Sequence, residues 1–408
     1  MERFIARQPV FDRRLRVFGY ELLFRESLLN AFPAVSGDHA SAHVISDTCF
    51  LFDLATYAGG KKAFINVTSE VLRKGYVTIL PKDLAVVEIL ESVEPTSEII
   101  AACGELKQAG YLLALDDFRD LPCWKPLLPL CDMIKVDFLA TNRVERARLA
   151  KQYGSMGIRL LAEKVETPAD FAQATQLGYD LFQGYFFKTP AVVHTRDIPA
   201  QRLHYLQLLS EIHRPNTEIT KLAEIIKGDV SLTYKLLRYI NSAFFGVPNR
   251  VQSVKHALLL MGMRELRKWA ALMTLTCMAE DRPGELLTSA LLRARFCESL
   301  AQPAGQVDRA QCLFLLGLLS LIDVIAERPM SEIVASLPID EDLKGALLGQ
   351  PNPLRTVLDC VAAYETGDWE RVSAETRTLS LVESSMPLHY EHALKWTQER
   401  LSEMQLAA

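Results

Sequence analysis

The chain has 408 residues, a length that predicts about two or three domains, and its 23% charged and 49% hydrophobic residues are ordinary for a soluble globular protein. The formal net charge of −5 gives no electrostatic reason to bind a nucleic-acid backbone, so no nucleic-acid partner is expected. The eight cysteines include no CxxC pair, which favours reduced thiols and a cytoplasmic location.

The first half of the chain repeats short apolar runs that are separated by stretches with helical spacing. Eight runs are found, in the order RFIARQPVF, VFGYELLF, AFINVT, AVVEIL, LLALDD, MIKVDFL, RLLAEKV and LFQGYFF. The first two are joined only by DRRLR and predict a hairpin with one antiparallel strand, whereas later runs leave room for crossovers between parallel strands. Residues 1–195 therefore predict an α/β barrel of the TIM type. A doubly wound open sheet is the weaker alternative, because no glycine-rich phosphate loop follows the first run.

A polar residue lies near the C-terminal end of almost every run. These residues are Glu21, Asn66, Glu88, Asp116, Asp117, Lys135, Asp137, Glu163 and Gln183. In such a barrel the C-terminal strand ends form one rim, where active sites are built. One acidic strand end is usually a turn former or a helix cap, but that explanation does not cover six strands. A rim of carboxylate and amide oxygens suits Mg²⁺ or Mn²⁺, and two such ions commonly assist attack of water on a phosphodiester.

The second half, from about Pro199 onward, shows apolar residues at three- and four-residue steps and no convincing strand. Pro248, Pro283 and Pro303 separate the segments, as helix breakers do. The most apolar segment, CLFLLGLLSLIDVIA, is too short to span a bilayer, so no membrane span is expected. The pattern predicts an all-α domain over residues 200–390 and a helical tail over 391–408.

Seven short motifs carry a family resemblance for the first half. ELLFR, INVT, EILE, LALDDF, IKVD, AEKVE and QGYFF occur in the order of the EAL domain, a barrel that hydrolyses cyclic di-GMP to pGpG, and residues 1–195 resemble that domain. The resemblance implies Mg²⁺ or Mn²⁺ as cofactor and cyclic di-GMP as ligand or substrate. It implies these metal ligands: Glu21, Asn66, Glu88 and Asp116, with Asp117 and Glu163 at a second ion.

The same resemblance implies roles for the residues around the ligands. Lys135 would orient the attacking water and offset phosphate charge, so the implied catalytic set is Lys135, Glu163 and Glu21. Arg25 would contact a ligand phosphate, a role for which its forked guanidinium is suited. The residues that would support the bound ions and ligand are Gln183, Asp137 and Glu166.

The chain departs from the EAL pattern immediately after the paired aspartates. Active members continue with a glycine- and serine-rich loop, whereas this chain reads RDLPCWKPLLPL. Weak support of metal ligands commonly lowers activity. We therefore expect a regulator that binds cyclic di-GMP and divalent metal with little turnover. The alternatives are an active Mg²⁺- or Mn²⁺-dependent phosphodiesterase and a scaffold without a nucleotide role.

Residues 228–272, which include INSAFFG and ALLLMG, resemble the HDOD domain, a helical relative of metal-dependent HD phosphohydrolases. The corresponding helix reads GLLSLID without the required histidine, so the resemblance implies a non-catalytic domain that binds a protein partner, and it leaves a homodimer open. The domain order is similar to that of the YuxH group of bacterial signalling proteins. Two smaller patterns have plainer explanations than ligand binding: His39 and His43 as a solvated helix face, and Asn241 and Ser242 as a helix-ending turn.

Overall fold

The computed structural model describes residues 3–26, 54–188, 208, 211–212, 217–241, 251–278, 283–337 and 339–405. The chain forms two compact units. The first comprises Met1–Thr189, Ala363–Ser373 and Val382–Glu391, and the second comprises Pro190–Ala362, Ala374–Leu381 and His392–Ala408. The domain boundaries predicted from the sequence, near residues 195 and 390, stay predictions. Arg25 is part of a described strand, but its side chain lies outside the described groups, as do residues His39, His43 and Ser242.

The first unit is built on a closed barrel of eight strands. They are β1 (Arg3–Asp12), β2 (Val17–Glu26), β3 (Lys62–Val67), β4 (Ala85–Ile89), β5 (Leu112–Leu115), β6 (Met133–Asp137), β7 (Arg159–Glu163) and β8 (Leu181–Gln183). Strand β1 is antiparallel to both β2 and β8, and all other neighbours are parallel. The predicted TIM-type barrel with one antiparallel strand is confirmed, and the open sheet is excluded.

Five described helices belong to the connections of the barrel. They are α1 (Leu54–Ala58), α2 (Ser69–Arg73), α3 (Ser97–Ala109), α4 (Arg143–Gly154) and α5 (Pro168–Leu177). Thr96 caps α3, Asn142 caps α4, and Thr167 caps α5, each through a side-chain oxygen that accepts a backbone N–H. These caps fix the residue at which each helix begins, and so help to define the loops that connect the strands at the rim to the helices.

An apolar layer fills the barrel beneath the rim. It consists of Val10, Phe64, Val86, Ala114, Met133, Leu161 and Leu181. Six of these residues stand two positions before a polar strand-end residue, as Phe64 does before Asn66 and Val86 before Glu88. Because side chains alternate along a strand, residues two apart face the same side of the sheet. The sequence that builds the core therefore also directs the polar residues into the mouth of the barrel.

The described residues of the second half form helices and the turns that connect them, with no strand among them, as the sequence predicts. The helices are α6 (Ile219–Lys227), α7 (Val230–Ile240), α8 (Val254–Met278), α9 (Gly284–Ser299), α10 (Ala310–Leu319), α11 (Ile322–Ala326), α12 (Met330–Ser336), α13 (Glu341–Leu347), α14 (Pro353–Thr366), α15 (Trp369–Thr378) and α16 (Met386–Gln405). Helix α8 is interrupted at Gly262, whose φ of 72° and ψ of 163° are not helical.

An aromatic cluster ties residues from near the C-terminus to the first strand of the barrel unit. The fully buried ring of Tyr364 has its centroid 6.4 Å from that of Phe4, 5.3 Å from that of Trp369 and 5.0 Å from that of Tyr390. Phe4 is also fully buried, and its ring lies 5.9 Å from that of Trp369. Aromatic pairs at such distances stabilise beyond their buried area. The barrel unit is therefore completed by the residues that α14, α15 and α16 contribute to it.

Tyr364→Ala should lower the free energy of unfolding of the first unit by about 3–5 kcal/mol, because it empties a fully buried aromatic position. The measurement is denaturant unfolding of the full chain, followed by tryptophan fluorescence. Tyr234→Ala is the matched control, since its ring is 58% exposed, and it should change stability by less than about 1 kcal/mol. Equal effects of the two substitutions would show that the cluster does not stabilise the barrel unit.

Candidate metal centre and active site

Lys135 lies at the centre of the barrel mouth with only 1% of its surface exposed. Its Nζ is within ion-pair distance of four carboxylate oxygens: 2.8 Å from Glu88 Oε1, 2.8 Å from Asp116 Oδ1, 2.9 Å from Glu163 Oε1 and 3.2 Å from Glu21 Oε2. The structure thus brings together predicted residues from β2, β4, β6 and β7 and the residue that follows β5. Four carboxylates against one ammonium leave an excess of three negative charges when all are ionised.

The pKa values of this cluster show how burial and charge compete. Burial raises the pKa of Glu88 well above its ordinary value, and the charge of Glu21 raises it further. Burial also raises the pKa of Glu163, to about 7, against the attraction of Lys135. Burial opposes the charge of Lys135, but the surrounding carboxylates outweigh it and raise the pKa of that ammonium. The raised pKa values mean that Glu88 and Glu163 can offset the excess negative charge by holding protons, and a bound divalent cation would offset it by displacing those protons.

Two amide side chains hold Glu21 in place. Gln183 Nε2 donates to Glu21 Oε2 at 2.6 Å, and Asn66 Nδ2 donates to Glu21 Oε1 at 3.3 Å. Although burial alone would raise the pKa of Glu21, Lys135 and these hydrogen bonds lower it. Gln183 Nε2 also donates to Gln8 Oε1 at 3.0 Å, a contact that the sequence reasoning missed. The hairpin pairs Gln8 with Glu21 only through a register shift between Val10 and Phe11, so counting residues back from the turn does not reveal this contact.

The residues present fit hard divalent cations. Four of the clustered side chains retain a buried oxygen that accepts no hydrogen bond: Asn66 Oδ1, Glu88 Oε2, Glu163 Oε2 and Gln183 Oε1. Buried acceptors are almost always satisfied in proteins, and oxygen donors of this kind are the ligands that Mg²⁺ and Mn²⁺ prefer. In the described residues, no group of three His, Cys, Asp or Glu side chains is arranged around a single cation position. The Lys135 ammonium occupies the centre of the carboxylate cluster instead.

Three further predicted residues lie outside the Lys135 cluster. Asp117 has a side chain that is 42% exposed and a left-handed backbone with φ of 38°. Burial is the main cause that raises the pKa of its carboxyl. Asp137 Oδ1 accepts the backbone N–H groups of Leu139 and Ala140 at 2.6 and 2.9 Å, so this carboxylate faces the turn after β6. Glu166 is exposed on the loop between β7 and α5.

Lys164 is a rim residue that the sequence reasoning did not single out. Its Nζ lies 2.5 Å from Asp137 Oδ2 and 4.0 Å from Asp117 Oδ1. The hydrogen bond to Asp137 is the main cause that raises the pKa of Lys164. Burial opposes ionisation of Asp137, but Lys164 and the two backbone donors together lower its pKa. Lys164 belongs to the motif AEKVE and directly follows the candidate ligand Glu163. This position in the motif was the sequence signal that could have identified it.

The segment after Asp117, which the sequence predicted to be poorly supported, has anchors of its own. Phe118 is buried and packs edge-to-face on Tyr153, with ring centroids 5.2 Å apart. Asp120 accepts hydrogen bonds from Tyr153 Oη and Arg148 Nη1, each at 2.5 Å, and the Tyr153 bond is the main cause that lowers its pKa. Trp124 is buried as well. Aromatic packing and hydrogen bonds to Asp120 therefore support this segment in place of a glycine- and serine-rich loop.

In the helical half, the side chain of Asn241 forms hydrogen bonds with backbone groups at two places in the chain. This residue ends α7, and its Nδ2 donates to the carbonyl oxygens of Leu237 at 2.6 Å and Val251 at 2.8 Å. Its Oδ1 accepts the backbone N–H of Val251 at 2.7 Å. The polar atoms of this amide are thus bonded to the backbone of Leu237 and Val251, which agrees with the helix-ending interpretation.

Comparison with known proteins confirms both resemblances. The EAL domain model matches residues 76–190, and the HDOD domain model matches residues 198–328. The uncharacterized protein YuxH of Bacillus subtilis is 34% identical over 404 residues, which cover 97% of this chain and 98% of that protein. The cyclic di-GMP phosphodiesterase CdgJ of Vibrio cholerae is 32% identical over 402 residues, which cover 97% of this chain and 92% of that protein.

Solved structures match the barrel region. The Klebsiella pneumoniae protein BlrP1, in a complex with calcium and cyclic di-GMP, is 24% identical with a TM-score of 0.39. The match covers 47% of this chain and 56% of BlrP1. An EAL domain protein from Listeria monocytogenes is 18% identical with a TM-score of 0.38, covering 50% of this chain and 91% of that protein. Among the helices described above, none combines the length and apolar character needed to cross a bilayer.

Proposed function

Because this chain belongs to the family of proteins that join an EAL domain to an HDOD domain, we propose that its barrel binds cyclic di-GMP with Mg²⁺ or Mn²⁺ and hydrolyses it to pGpG. The observation that carries this proposal is the buried cluster of four carboxylates around Lys135, with oxygens that lack hydrogen-bond partners. The 32% identity to CdgJ over nearly the whole chain supports the same activity.

The proposed cation ligands follow the strand ends. Glu21, Asn66, Glu88 and Asp116 would hold one cation, and Asp117 and Glu163 would hold a second. When bound, two such cations would supply a lowered pKa for a bound water and positive charge beside the phosphoryl oxygens. Hydrolysis replaces one ring P–O bond with a bond to the water oxygen, and the proton passes to the released ribose oxygen. The product is a linear dinucleotide.

The chain's own side chains would position the reacting groups. Lys135 Nζ has three donors and is held from several sides, so it would orient the water or a phosphoryl oxygen. Gln8 and Gln183 would keep the Glu21 carboxylate in one orientation, since Gln183 bridges the two. The buried mouth of the barrel, where Glu88 is fully buried, would strengthen these interactions by excluding water.

A second candidate function is regulation by binding with little turnover. It is favoured by two observations: Asp117 faces Lys164 rather than the Lys135 cluster, and the segment that follows lacks the glycine- and serine-rich sequence of active members. In either case we propose that the HDOD domain is non-catalytic and binds a protein partner. The described cysteines are all free, which supports a reducing, cytoplasmic location.

The test is incubation of the purified full-length protein with cyclic di-GMP and Mn²⁺ or Mg²⁺, with products separated by chromatography. We expect pGpG to form with either cation and to be absent when the cations are chelated. Saturable binding of cyclic di-GMP without product would support the regulator instead. Absence of both binding and product would contradict both candidate functions. The remaining hypothesis would be a scaffold without a nucleotide role.

A further inference from the structure

Lys164 occupies a conformation that its residue type disfavours. It lies on the rim directly after Glu163, with a backbone φ of 52° in the left-handed region. Only glycine adopts that region without a steric penalty, because a Cβ crowds the neighbouring carbonyl oxygen. A lysine held there suggests that its charge is used at this place.

The backbone around Lys164 explains how this conformation is maintained. The next residue, Val165, is fully buried; its N–H donates to the carbonyl oxygen of Gln183 at 3.0 Å, and its own carbonyl accepts from Phe186 at 3.1 Å. Gly184 allows this approach, since a Cβ there would lie 2.1 Å from the Val165 oxygen, and its φ is 146°. The chain after β7 is thus clamped against the end of β8 by these hydrogen bonds. This clamping fixes the backbone position of Lys164.

The far end of the side chain is fixed by Asp137. The two backbone donors of Leu139 and Ala140 hold one carboxylate oxygen of Asp137, which leaves the other oxygen for Lys164 Nζ at 2.5 Å. From that position the ammonium lies 4.0 Å from Asp117 Oδ1. A positive charge from the chain itself therefore stands beside the carboxylate that we assign to the second cation.

We propose that Lys164 acts as a built-in cation that competes with the second divalent cation at Asp117 and weakens its binding. This inference rests on the proposed function, because it takes Asp117 as a ligand of that cation. A divalent ion near Asp117 would repel an ammonium that Asp137 and the clamped backbone hold nearby. For two charges that contact the same carboxylate in a largely aqueous setting, this repulsion would weaken binding by about tenfold.

The two cation positions should respond differently. Asp116, the neighbour of Asp117 in sequence, faces Lys135 and not Lys164, so the first cation should be little affected. Lys164 would then set how much free cation the protein needs before both positions are filled. Turnover would therefore need a higher cation concentration than it would without this lysine.

The test measures Mn²⁺ binding to the full-length protein without nucleotide, by electron paramagnetic resonance of the free ion. Lys164→Gln, which removes the charge and keeps the length, should tighten the weaker Mn²⁺ position about tenfold and leave the tighter one unchanged. Lys164→Gly should tighten it similarly, and Lys164→Arg, which keeps the charge, should not. Lys62→Gln is the control at a partly exposed lysine that bonds only the Asp83 carbonyl among the described contacts, and it should have no effect.

Two failures would be distinguishable. If wild-type protein binds two Mn²⁺ ions and Lys164→Gln leaves both affinities unchanged or weakens the second, the role of Lys164 is wrong and the proposed function stands. If no variant binds Mn²⁺ while all remain folded by circular dichroism, the metal-dependent function is wrong, and the competition proposal is wrong with it.

Discussion

Glu21→Gln should reduce cyclic di-GMP hydrolysis by more than about 100-fold, because removing a group that merely supports a metal ligand already costs about 10–100-fold. Glu21 is 7% exposed and accepts hydrogen bonds from Gln183, Lys135 and Asn66. Glutamine keeps the shape but has no charge for a cation. The amide nitrogen of the glutamine, which cannot accept a hydrogen bond, would also face one of the donors of Gln183, Lys135 and Asn66. The substitution therefore disturbs the cation position and the orientation of Lys135 together.

The measurement is the initial rate of pGpG formation with saturating Mn²⁺. Glu98→Gln is the matched control, since Glu98 is exposed in the first turn of α3, and it should leave the rate unchanged. Circular dichroism and a Glu21→Asp variant separate loss of the ligand from loss of fold. A Glu21→Gln protein that retains more than about a tenth of the wild-type rate would contradict Glu21 as a metal ligand.

Lys135→Met should lower the rate by about 10²–10⁴-fold, the range typical for a positioned donor that assists proton transfer. It should also destabilise the metal-free barrel by about 3–5 kcal/mol, because it leaves buried carboxylates without their ammonium. The 1% exposure of Lys135 means that water does not replace the lost charge. Added Mn²⁺ should restore part of the stability, since it neutralises the same carboxylates, but it should not restore the rate.

Unfolding midpoints with chelator and with Mn²⁺ test the stability part of this prediction, and pGpG formation tests the rate. Lys62→Met serves as the control, because Lys62 donates to the Asp83 carbonyl and is partly exposed. Its effects should be below about 1 kcal/mol on stability and negligible on rate. Equal stability of Lys135→Met and wild type in chelator would mean that the four carboxylates do not depend on this ammonium.

Much of the fold and site could be predicted from local patterns. Strand residues alternate between faces, so the apolar residue Val86 and the polar residue Glu88 had to share the barrel interior. Parallel connections then placed the strand ends on one rim. For this reason Glu21, Glu88 and Lys135 could be expected to lie together, and the structure brings them together.

Other features depend on geometry that local patterns do not contain. The role of Gln8 follows from the register of the hairpin, and the contact of Lys164 with two aspartates follows from the left-handed turn after β7. The inclusion of Tyr364 in the barrel unit depends on a contact with Phe4 across most of the sequence. Such long-range packing is set by tertiary structure, and residue spacing alone does not reveal it.

The segment after Asp117 is held by contacts that its departure from the family sequence does not reveal. Its sequence lacks the small residues of active members, and from this we expected weakly held metal ligands. In the structure, Asp120 is bound by both Arg148 and Tyr153, and Phe118 packs on the same tyrosine. The backbone N–H of Phe118 also donates to the carbonyl oxygen of Lys135 at 2.9 Å. These contacts hold the segment that follows Asp117 in place.

Hydrolysis by this barrel is tested most directly by counting the pGpG molecules that each full-length chain releases from cyclic di-GMP in Mn²⁺. Many turnovers per chain are predicted, with none in chelator and none above background for Glu21→Gln. Stoichiometric binding of cyclic di-GMP, with no pGpG formed while the protein remains folded and Mn²⁺ is bound, would contradict the proposed activity.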